Sequence, residues 1–76
     1  MNPIALGDLP TGQSAHVRRI VGRPDQVHRF EEFGLCGGAE VRMFRPGDPC
    51  IIHLGGHKVC LRADGFVQVL VDPIGN

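Results

Sequence analysis

The sequence predicts a mainly β fold, a small β-barrel of about five strands with one short helix. Three observations carry that prediction. Seventy-six residues make one domain with room for a single core. Eleven glycines and six prolines cut the chain into short segments. The apolar period changes only once, from strand-like alternation to three-residue steps and back. Closing short strands into a barrel leaves few exposed sheet edges and gives one compact core.

Each element can be justified in order. "GDLPTGQ", Gly7 to Gln13, reads as a turn, with Pro10 and Gly12 where fixed or positive φ is useful. "SAHVRRIV", Ser14 to Val21, reads as a strand with Ala15, Val17 and Arg19 on one side. In "RPDQVHRFEEFGL", Val27, Phe30 and Phe33 recur every third residue, the spacing of one helical face. Pro24 suits the first turn, Asp25 complements the helix dipole there, and Gly34 is placed to end the helix. "AEVRMFR" alternates cleanly, with Ala39, Val41 and Met43 on one face and Glu40, Arg42 and Phe44 on the other. "PGDP" is a turn, Arg62 to Gly65 is a break, and "FVQVLV", Phe66 to Val71, is the last strand. The domain spans 1–76, with a core from about 6 to 71 and a frayed tail at 72–76.

"PCIIHLGGHKVCLR" is nearly a mirror, with Cys50, His53, His57 and Cys60 around Gly55-Gly56. All four flanking residues are metal-ligand types, so the register of the hairpin decides their use. A two-residue primed turn pairs Leu54 with His57, Ile52 with Val59 and Cys50 with Leu61. Cys50, Ile52, Leu54, Val59 and Leu61 then share an apolar face, and the other face carries Ile51 opposite Cys60 and His53 opposite Lys58. The cysteines fall on opposite sides of the sheet, and so do the histidines. Four ligands so divided cannot converge on one ion. Both cysteines are therefore read as small buried hydrophobes, and no metal ligands and no cofactor are assigned.

Composition excludes several functional classes. Eight basic residues balance eight acidic ones, which gives no electrostatic reason to expect nucleic acid or an anionic membrane. Arg18, Arg19, Arg23 and Arg29 lie close together, but such runs usually form a solvated face. Three cysteines cannot complete an intramolecular disulfide set, and no signal-peptide pattern is present, so a reducing cytosol is expected. No segment approaches the ~20 apolar residues of a membrane span, and direct membrane insertion is not expected. Cys36 has no histidine or orienting group at a telling spacing. Phosphate loop, nucleophile elbow and clustered carboxylate pair are also missing from the sequence. No catalytic residues are assigned, and the protein is read as a non-enzyme.

The segments together resemble the ferrous-iron transport protein A (FeoA) family. "LGDLPTGQSAHV" is similar to the family's Leu-x-x-Leu-x-x-Gly opening, and "HRFEEFGLCGGAEVRMFR" to its helix and next strand. "GDPCIIHLGGHKVCLR" is similar to its Gly-Asp-Pro strand and the Leu-Ala-Leu-Arg strand that follows. The resemblance runs from Leu6 to about Val71. Three positions depart from it. Cys36-Gly37 stands where a residue and Pro are usual, Glu31 replaces an apolar helix position, and Cys60 takes a site usually held by Ala.

The resemblance implies an SH3-like β-barrel. It also implies a cytoplasmic accessory of bacterial ferrous-iron uptake, peripheral at the inner membrane through its partner. That partner is the cytosolic part of the GTP-dependent Fe(II) transporter FeoB, which such proteins bind and modulate. The docking surface is expected around the helix and its exit, at Arg29, Phe30, Phe33 and Leu35, with at least one phenylalanine facing the core. Without Trp or Tyr, a proline-recognising groove is not expected. The alternative is a direct transition-metal-binding protein or iron sensor using His53, His57 and a cysteine. The oligomeric state, homo-oligomers included, is left open by the sequence.

Overall fold

The computed structural model of the protein describes residues 2–47, 49–61 and 68–74. Six strands and one helix follow in chain order. β1 is Ile4–Ala5, and a single 3₁₀ turn at Leu6–Asp8 leads to β2, Ser14–Val21. α1 is Pro24–Glu32, β3 Glu40–Arg45, β4 Cys50–Leu54, β5 His57–Leu61 and β6 Gln68–Pro73. All pairings are antiparallel, and the strands lie in the order β1-β6-β2-β3-β4-β5.

The fold is mainly β with one short helix, as predicted, with two refinements. The additional strand is β1, whose two residues pair with Val71 and Leu70 and are too few to show a period. Among the described residues no ladder joins β5 to β1, so the barrel is not closed by strand pairing. The expected break at Arg62–Gly65, the first two residues of the "FVQVLV" strand, Asp48 of the "PGDP" turn and the last two tail residues lie outside the described residues.

Alternation builds the core. Val17, Val41, Met43, Ile52 and Val71 point inward from four strands and meet Leu9 and Leu35 from the connections. Each such side chain contributes roughly 1.5–3 kcal/mol when removed from water. A bulge in β2 between Val17 and Arg19 changes the parity of that strand. Arg19, expected on the same side as Ala15 and Val17, is thereby turned to solvent, and Ile20 packs against the core instead. A second bulge, between Met43 and Arg45, turns Arg45 to solvent beside Phe44, which alternation already exposes.

β6 also runs further than expected. Asp72 pairs with His16 and Pro73 with Ala15, and the Ile74 N–H donates to the Ser14 carbonyl at 2.9 Å. Gln13 Nε2 donates to the Ile74 carbonyl at 2.7 Å. Asp72 and Pro73 are thus part of the sheet, and Ile74 is tied to it, rather than a frayed tail, because β2 supplies partners up to Ser14.

The helix begins and ends where its punctuation predicts. Pro24 takes the first helical position, and Arg23 Nε lies 3.5 Å from Asp25 Oδ1. At the other end Gly34, at φ 94°, donates to the Glu31 carbonyl at 2.9 Å. Leu35 donates to the Phe30 carbonyl at 3.1 Å. These two bonds form a Schellman turn, which brings the residue after glycine back toward the last helical turn. Leu35 is therefore driven into the core at 1% exposure, and Phe30 packs beside that core. None of the nine helix residues is itself buried.

Candidate functional site

The β4–β5 hairpin has the register that its apolar pattern predicts. Cys50 faces Leu61, Ile51 faces Cys60, Ile52 faces Val59, His53 faces Lys58 and Leu54 faces His57. Gly55 and Gly56 both have positive φ, 58° and 88°, as a primed two-residue turn requires. Cys50 is buried and Cys60 is exposed. The small-hydrophobe reading therefore holds for Cys50 and fails for Cys60, because neighbouring pairs of a ladder point to opposite faces. His53 is half-buried and His57 exposed. Cys36 is exposed after the helix, its thiol donating to the Gly34 carbonyl at 3.7 Å. Among the described residues no three His, Cys, Asp or Glu side chains gather where they could hold a metal.

The tip of this hairpin and the exit of α1 enclose an open groove of about 690 Å³. Phe33 and Gly34 line it from the helix side, Glu40 and Arg42 from β3, and His53 and His57 from the hairpin. Phe33 is 59% exposed, the most exposed of the large apolar side chains among the described residues. It reaches this position because it caps the helix at φ −78°, ψ −7°, one step before the Schellman turn redirects the chain. Glu40 Oε1 lies 3.9 Å from His16 Nε2 on β2, so the acidic wall of the groove has a neighbour outside it.

The four residues singled out around the helix occupy three different environments. Arg29 is exposed on the helix and does not line the groove. Phe30 is half-buried, and Leu35 is wholly interior. Phe33 alone presents an apolar surface to solvent. Three-residue spacing aligns Phe30 and Phe33 on one helical face, but the helix outlasts the core beneath it. Reasoning on sequence missed a second feature, on the outer face of β3–β5. There Phe44 is exposed, Lys58 Nζ sits 4.1 Å from its ring centroid, and the His53 ring lies 5.4 Å away. Its signal was present, since alternation had placed Phe44 opposite the core side of its strand.

Comparison with known proteins bears on the same features. Comparison with curated proteins gives no match. Among solved structures, an iron uptake regulatory protein, FeoA, matches with a TM-score of 0.84 at 22% identity, over 97% of this chain and 100% of that one. At that identity the likeness shows the fold. FeoA from Stenotrophomonas maltophilia, solved in complex with zinc, matches with a TM-score of 0.75 at 29% identity, over 91% of this chain and 89% of that one. It is described as a procaryotic SH3 domain protein and as a candidate ferrous-iron transport activating factor. FeoA from Chlorobium tepidum matches with a TM-score of 0.83 at 25% identity, over 95% of this chain and 71% of that one. The architecture is therefore SH3-like. The FeoA domain model matches residues 4–73, from β1 through the last residue of β6. With nearly its whole length matched, the chain belongs to the FeoA domain family.

Proposed function

We propose that this protein is a cytosolic accessory of bacterial ferrous-iron uptake that binds and modulates FeoB, the GTP-dependent Fe(II) transporter of the membrane. The observation that supports this reading most is the FeoA-domain match across residues 4–73. No helix among the described residues is long and apolar enough to cross a membrane, so action at the transporter calls for a docking surface. The exit of α1 supplies one. Phe33 stands at the lip of an open groove, and an exposed aromatic beside a cleft is the kind of anchor that dominates binding energy at interfaces. Arg29 flanks it on the helix, Phe30 holds the helix against the barrel, and Leu35 fixes the turn from inside the core.

Isothermal titration of the full chain against the soluble GTP-binding part of FeoB tests both parts of this reading. Saturable binding is expected, weakened at least tenfold by Phe33→Ala, which leaves the folded core intact. The absence of binding by the unaltered protein would overturn the partner. Undiminished binding by Phe33→Ala would overturn the site.

A further inference from the structure

The outer face of the sheet is divided by charge. On its β2–β6 half, Arg18 Nε lies 3.2 Å from Asp72 Oδ2, and His16 faces Glu40. Arg18 and His16 there have carboxylates beside them, while Arg19, among the described residues, does not. The β3–β5 half gathers several cations without such partners. The register sets Arg42, His53 and Lys58 in one row across three strands, with Arg45 opposite Ile51 in the next. Among the described residues no carboxylate lies within ion-pair distance of Arg42, Arg45 or Lys58. Arg42 Nε donates to the Gly12 carbonyl at 3.2 Å, which holds the stem of that side chain while its terminal nitrogens keep further donors.

We propose that this half of the sheet docks an acidic segment of a protein partner. Carboxylates would pair with Arg42 and Lys58. Three observations favour this occupant. The chain has no net charge, so three cations without a carboxylate partner among the described residues are a local arrangement rather than a general excess. Arg42 and Lys58 stand two strand spacings apart, about 10 Å, and carboxylates two residues apart on one face of an extended peptide, about 7 Å, reach both through their flexible side chains. The Phe44 ring is already covered by the Lys58 ammonium at 4.1 Å, so it offers little platform for a stacked base. Arg42 and His53 also line the groove beside Phe33, whereas Phe44, Arg45 and Lys58 do not, so variants at Lys58 test this surface separately from the Phe33 site.

Nuclear magnetic resonance titration of the full chain with an acetylated, amidated hexaglutamate peptide tests the proposal, with oligo-dT as the competing polyanion. Amide shifts confined to Arg42, Phe44, His53 and Lys58 are expected. Affinity should fall at least tenfold in the double variant Arg42→Glu/Lys58→Glu and less than twofold in Arg19→Glu. The milder Lys58→Gln, which keeps the strand edge intact, should weaken binding two- to fivefold and guards against a folding artefact. Shifts scattered equally over Arg19 and Arg29, no shift at millimolar peptide, or tighter binding of oligo-dT would each overturn it.

Discussion

Phe33 and Leu35, two residues apart, show how backbone geometry rather than side-chain type decides a role. Both are large and apolar, yet one is 59% and the other 1% exposed. The difference comes from Gly34 between them, whose positive φ reverses the chain. Leu35→Ala should therefore destabilise the fold by about 2–5 kcal/mol, the range for emptying a packed site. Phe33→Ala should change stability by no more than about 0.5 kcal/mol, as at an ordinary surface position. Urea unfolding of both variants checks the contrast. The sequence marked this place, because a glycine after three-residue apolar spacing announces a helix end. It could not assign the two side chains, since that depends on where the core beneath the helix stops. Cys60 is the same lesson in a strand. Its type suggests burial, but ladder parity sets it outside.

Among the elements, the β4–β5 hairpin was the most legible. A continuous apolar set on one face and a Gly-Gly loop leave one register that satisfies both. Gly56→Ala should cost about 1 kcal/mol, because an added Cβ meets no neighbour and the penalty is the left-handed backbone alone. Gly7→Ala, at a position without positive φ and with equally open space, should be neutral or slightly stabilising. Thermal unfolding of the pair separates strain from crowding. The β-bulges were not legible. A one-residue insertion at Val17/Arg19 leaves no mark in composition, yet it exchanges Arg19 for Ile20 at the core. β1 was missed for a related reason, since two residues become a strand only when β6 lies beside them.

At the scale of the whole molecule, the core belongs to the sheet and its connections, whereas the helix contributes no buried residue. It rests on the barrel through the half-buried Phe30 and is fixed at its C-terminal end by the turn at Gly34 and Leu35. At its start the N-cap residue, Arg23, makes no side-chain capping bond. Such a segment can open without unfolding the rest. Amide hydrogen exchange should show α1 protected far less than Val41, Met43 and Ile52, with exchange by local rather than global opening. Equal protection of helix and central strands would contradict that. The uncapped start of α1 has a thermodynamic consequence for recognition. A ligand that grips Phe33 also quiets the segment bearing it, so part of its binding free energy is spent on ordering. Variants that rigidify the helix start, such as Arg23→Ser to supply a capping hydroxyl, should then raise affinity without adding a single contact.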